Sequence, residues 1–141
     1  DINDEILDFQ KKKYKNKGFK FFKCYAEDID KCIDALQLSD KNIILFSIGS
    51  LQYVIPFYLE QFFFKIKKIK NLNLFICDPV KLSFVDENKN YSDYRGNSSY
   101  THIYEKYASE FVVLKKKVIR PFENSNTPNR DVGTYYLHIV N

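Results

Sequence analysis

The chain has 141 residues, 45% of them apolar and 17% aromatic, which excludes a largely disordered polypeptide and suffices for one domain with its own core. Its formal charge of +4 is mildly basic rather than polybasic, and three cysteines without paired spacing exclude a disulfide framework or a zinc site. No run of about twenty apolar residues occurs, because Glu60, Gln61 and nearby lysines interrupt the longest one, so no membrane span is expected.

In chain order, residues 2–15 carry Ile2, Ile6, Leu7 and Phe9 at helical spacing with acids at the start, and Gly18 marks the stop. Residues 19–25 alternate imperfectly and predict a strand. Residues 27–38 predict a helix striped by Ile29, Cys32, Ile33 and Leu36, ended by Ser39-Asp40. Residues 42–48 form a short apolar run of the kind buried on both faces of a parallel sheet. Gly49-Ser50 breaks it, glycine supplying freedom of φ and serine a helix-capping hydroxyl. Leu51, Val54, Ile55, Tyr58, Leu59, Phe62, Ile66 and Ile69 then predict one helix over 51–70, with Pro56 tolerable only near its first turns. A second apolar run at 72–77 is closed by Asp78-Pro79. Parallel strands need such a helical crossover.

Beyond Asp78 the pattern predicts a short strand at 82–85, a polar surface loop at 86–99 and a helix at 99–109. A strand at 111–119, a polar loop at 121–131 and a closing strand at 135–140 follow, Gly133 leading into the last. The fold expected is a single α/β domain over 1–141, Rossmann-like, with three layers and a mostly parallel sheet. Residues 43–48 should be its central strand, 72–77 the neighbour, and Ile44, Phe46, Leu59, Phe62, Phe75 and Cys77 among its most buried residues. A start at Asp1 without methionine implies trimming, processing or a missing beginning, and with a stop one residue after a strand pattern the chain is expected to be part of a longer polypeptide, incomplete at both ends.

Only the strand–turn–helix–strand unit carries a mechanism. In such sheets ligands sit beyond the carboxyl ends of the strands, where the glycine turn admits a ligand and an acid on the next strand holds ribose hydroxyls. Gly49 and Asp78 are placed for those roles. The motif Ser47-Ile48-Gly49-Ser50, a helix, then Ile76-Cys77-Asp78 resembles the class I S-adenosylmethionine-dependent methyltransferases over residues 42–80, most of all the viral cap 2′-O-methyltransferase type. The resemblance implies S-adenosylmethionine as cofactor, with Gly49 and Ser50 bordering its methionine part, Asp78 holding its ribose, and Ser47 a further cofactor-binding residue where many methyltransferases carry an acid. It implies a methyltransferase acting on, or docking to, nucleic acid such as RNA; no catalytic set is placed. The bulk of Leu51-Gln52-Tyr53 beside the turn favours instead a cofactor-free Rossmann-like interaction or scaffold subunit, of a viral or other large assembly. A small nucleotide-binding domain is the third reading.

Other candidates are weaker. His102, three residues before Glu105, and His138 lack paired ligand spacing, so no metal is expected. Cys77 reads as a small buried apolar group before it reads as a nucleophile, and Ser50 lacks the glycine pair of a hydrolase elbow. Tyr91, Tyr94, Arg95 and Tyr100 read either as loop packing or as groups that stack bases and grip phosphate. Lysines at 11–13, at Lys65, Lys67, Lys68 and Lys70, and at 115–117 read as solvated faces or as a nucleic-acid surface. A protein partner, or the remainder of a longer chain, is the other partner expected. Unpaired cysteines suit a reducing, cytoplasmic setting.

Overall fold

The structure, a computed structural model, describes residues 3–15, 17–38, 41–88, 90–120 and 131–141. The first helix forms as its sequence predicts: α1 (Asp4–Lys13) is capped by the Asn3 side chain, which accepts from the Glu5 and Ile6 amides at 2.9 and 3.2 Å. Its acids lie in the first turn and its lysines in the last, matching the helix dipole. The strand expected at 19–25 does not form; Phe19 and Phe21 pack their rings against Tyr14 instead. A 3₁₀ turn at Ala26–Asp28 leads into the short α2 (Ile29–Ala35), and the Ser39-Asp40 stop lies outside the described residues.

Strand β1 (Ile43–Ile48) runs parallel to β2 (Leu72–Lys81), joined by α3 (Pro56–Ile66). The helix expected over 51–70 is divided: residues Leu51–Tyr53 make a 3₁₀ turn, Val54 and Ile55 are extended, and α3 starts at Pro56. The cause is local, since proline forces the preceding residue out of helical conformation and itself suits the first helical position. Leu82–Glu87 is a helix, α4, rather than a strand. Its start is tied by Asp131, whose carboxylate accepts from the Ser83 amide at 2.7 Å and from the Ser83 hydroxyl.

The loop expected at 86–99 and the helix expected at 99–109 are largely a hairpin of β3 (Ser92–Gly96) and β4 (Ser99–His102), followed by one helical turn, α5 (Tyr104–Tyr107). Asn97 and Ser98 take φ of 49° and 57°, the left-handed pair of a two-residue type I′ turn. Strands β5 (Val112–Ile119) and β6 (Val132–Val140) complete the chain, and most of the predicted 121–131 loop lies outside the described residues.

The sheet order is β1-β2-β6-β5. Only β1 and β2 are parallel; β6 pairs antiparallel with both β2 and β5. The expectation of a mostly parallel, three-layer Rossmann-like sheet with β1 at its centre is therefore corrected to a mixed α/β sheet with β1 at one edge and a separate hairpin. β6 occupies the place beside β2 that a further parallel strand would take.

Helices α2, α3 and α5 pack on one face, where Leu59, Phe62, Phe63 and Ile66 meet Leu72, Leu74, Ile76, Tyr135, Leu137 and Ile139. The other face is bare along β1: Ile44, Phe46 and Ile48 are 69%, 69% and 70% exposed. Of the predicted core, Leu59 and Phe62 are buried, Phe75 and Cys77 are half-buried, and Ile44 and Phe46 are at the surface. An all-apolar run suggests two buried faces, but here only one meets helices. No helix among the described residues is long and apolar enough to cross a membrane.

Candidate functional site

Strand β1 ends at a turn built on Gly49, whose φ of 67° favours glycine and whose amide donates to the Cys77 carbonyl at 3.0 Å. That bond draws the turn against β2. The Ser47 hydroxyl accepts from the Leu51 amide at 3.3 Å, and the Ser50 hydroxyl donates back to the Ile48 carbonyl at 3.3 Å. Both serines predicted to border a cofactor are thus used in shaping the turn. Gln52 folds over it, donating from Nε2 to the Gly49 carbonyl at 2.8 Å, while its Oε1 accepts from Arg95 of the hairpin. Gln52 is buried, and its Nε2 lies 3.7 Å from where a Cβ on Gly49 would stand.

Asp78 is not at a strand end. It lies inside β2, paired with Tyr135, and is wholly buried on the helix side of the sheet. The Tyr104 hydroxyl donates to its Oδ2, and its Oδ1 has no hydrogen-bond partner among the described residues. Burial raises its pKa; the Tyr104 hydroxyl and the nearby amides of Gly49, Ser50 and Gln52 only partly oppose that rise. Tyr104 is held well above the ordinary phenol range by burial and by Asp78, so it remains a donor.

His102, expected on a helix, sits in β4 and is buried beside this cluster. Its Nδ1 lies 2.6 Å from the Ser92 hydroxyl, which is 2.5 Å from the Tyr107 hydroxyl. Burial pulls its pKa down to about 4, with the Arg95 charge acting the same way and the backbone at Val54 and Leu51 opposing. The imidazole is therefore neutral at physiological pH. Ser92 and His102 match a nucleophile–base pair in distance only: no carboxylate among the described residues orients the ring, and Tyr107 also engages the serine. The cluster is a polar plug joining the Gly49 turn, β2 and the hairpin. The long-range partners Gln52, Arg95 and Tyr104 carry no local signal of this role; only the Gly96-Asn97-Ser98 turn chemistry hints at the hairpin that brings Arg95 and His102 in.

S-adenosylmethionine does not fit these residues as they stand. The space above Gly49 holds the Gln52 side chain, and Asp78 has no exposed surface from which to hold a ribose. With β1 at the sheet edge, no strand among the described residues lies on its far side to form the crevice that such a ligand enters. No group of three metal-ligating side chains occurs among the described residues, and Cys24, Cys32 and Cys77 are free thiols. Burial and the neighbouring Cys32 push the Cys24 thiol up to about 12, which leaves it unreactive.

Two clefts flank the plug. One of about 440 Å³ is lined by Tyr53, Ile55, Tyr94, Ser98 and Tyr100. The other, of about 270 Å³, lies between α3 and α5, where Lys67 is paired with Glu110 at 2.7 Å. Of the lysine clusters, Lys65 is held by Asp30 and the Glu27 carbonyl, Lys11 lies 3.8 Å from Asp8, and Lys116 pairs with Glu105. Lys115 and Lys117 are exposed and have no acidic partner among the described residues. Comparison with known protein families, curated proteins and solved structures finds no match.

Proposed function

We propose that this chain acts by binding rather than by catalysis, as a cofactor-free interaction domain whose contact surface is the open face of its sheet. The observation that carries the reading is the exposure of Ile44, Phe46 and Ile48 in one row along β1. Contiguous apolar surface of this kind marks interaction sites. The filled Gly49 turn supports the same reading from the other side. Free thiols suit a reducing, cytoplasmic setting for it.

The methyltransferase reading draws on one observation, the parallel β1–α3–β2 unit with Asp78 beneath the Gly49 turn. Calorimetric titration of the intact chain with S-adenosylmethionine and S-adenosylhomocysteine separates the two. The interaction reading expects no saturable binding. It also expects Asp78→Asn to melt no lower than the wild type, because a neutral isostere keeps the Tyr104 bond and avoids a buried charge. Saturable binding with a dissociation constant near or below about 100 µM, lost in Asp78→Asn, would establish the cofactor site instead.

A further inference from the structure

Strand register places the side chains of the open face in straight rows across all four strands. One row is Ile44, Asn73, Val140 and Val112; the next is Phe46, Phe75, His138 and Lys115; the third is Ile48, Cys77, Tyr136 and Lys117. Apolar side chains thus lie at the β1 edge, while the second and third rows carry the Phe75, His138 and Tyr136 rings in the middle and a lysine at the β5 edge. The Phe75 and His138 rings stack at 4.0 Å between centroids, and the Lys115 ammonium lies 5.9 Å from the Tyr136 ring centroid. No Asp or Glu occupies any position in these rows.

The lysine edge depends on one irregularity. Between Val113 and Lys115 the register of β5 shifts, leaving Leu114 as an extra residue. Without that bulge, simple alternation from Val112 would turn Leu114 and Lys116 onto the open face and Lys115 and Lys117 away from it. Bulges re-aim side chains in this way. This one sets two lysines beside two ring-bearing rows.

We propose that this face binds single-stranded nucleic acid, the exposed Phe46 ring and the half-buried Phe75, His138 and Tyr136 rings beside it stacking unpaired bases while Lys115 and Lys117 contact phosphates. Every base has a face that stacks on an aromatic ring, and such platforms beside a cationic track bind single strands. A duplex offers no unpaired base to the rings, and two lysines give it few phosphate contacts. Face-to-face pairing of two copies would bury lysines on a surface that has no acid to neutralise them. The proposal rests on the reading of the open face as the contact surface.

Fluorescence anisotropy of the full chain with a labelled oligouridine of about twelve nucleotides tests it, beside a duplex of equal length. Single-strand binding should exceed duplex binding, and its log K against log salt should have a slope of about −1.4, as for two neutralised phosphates. Phe46→Ala should weaken binding roughly 10-fold, within the range of one lost stacking contact. The paired change Lys115→Ala and Lys117→Ala should flatten the salt slope. Both alter exposed positions, so unchanged melting curves verify the fold. Equal affinity for duplex, or affinity indifferent to Phe46→Ala, overturns the proposal. Absence of binding together with self-association abolished by Phe46→Glu also overturns it, and leaves the open face as the contact surface for a second copy. Absence of both, with saturable S-adenosylmethionine binding, overturns the interaction reading as well.

Discussion

Asp78 and His102 show how burial sets the charge of a side chain and, through it, the pH dependence of the fold. Asp78 has its folded pKa above the unfolded value, so the folded state holds the extra proton between the two. Its contribution to stability falls as pH rises through that window. His102 works in the opposite sense. Its folded value of about 4 lies below the unfolded value, so in the interval between them the unfolded chain binds more protons. Stability from a neutral His102 is fully present above about pH 6.5 and is lost as pH falls toward about 4, a span worth roughly 3 kcal/mol. His102 should therefore contribute a loss of about 2 kcal/mol between pH 7 and pH 5, read by urea denaturation as the difference between the wild type and His102→Gln, since Asp78 acts in the opposite sense in both. The loss should shrink markedly in His102→Gln, whose amide can still meet Ser92. An equal loss in the variant would place the sensitivity elsewhere.

Among the elements, α3 and β1 are the informative pair, because the same apolar residue types have opposite fates in them. Phe62 in α3 is 4% exposed and meets Phe63 edge-on, so Phe62→Ala should cost roughly 3–5 kcal/mol through lost burial and the cavity left behind. Phe46 in β1 stands outside the core, and Phe46→Ala should change stability by no more than about 0.5 kcal/mol. Chemical denaturation of the two variants side by side measures the difference. A cost at Phe46 matching that at Phe62 would mean that something covers the open face even in the isolated chain. The division of α3 from the 3₁₀ turn before it also matters here. By starting the helix at Pro56, the chain leaves residues 51–53 free to curl Gln52 back over Gly49.

Across the whole molecule, stability should be graded from the middle of the sheet outward. β2 and β6 are each paired on both sides, while β1 and β5 each have one unpaired edge among the described residues. Exchange of backbone amides should be slowest in β2 and β6, where Leu74, Ile76, Leu137 and Ile139 are wholly buried, and faster in β1 and β5. Hydrogen–deuterium exchange resolved to peptides gives this order directly. Protection of β1 equal to that of β2 would signal a strand from another chain paired along its edge, the hazard that any exposed edge carries.

Local grammar was legible in the residues alone: helix α1 from its apolar spacing and charge order, β1, β2, β5 and β6 from their apolar runs, and the break at Gly49. These are properties of neighbouring residues and backbone conformation, so a few residues suffice to encode them. The order of the strands was set by tertiary packing. β6 enters beside β2 in antiparallel sense, and no residue near either strand announces that, because pairing partners are chosen by contacts over the whole chain. The same choice leaves β1 at the edge, so a run that reads as buried on both faces has one face bare. It also lets the hairpin close over the Gly49 turn, where Arg95 meets Gln52 and Tyr104 meets Asp78. Gly49 and Asp78 were visible as a pair in the sequence. Their environment was not, since it is built from contacts that span 26 and 43 positions along the chain.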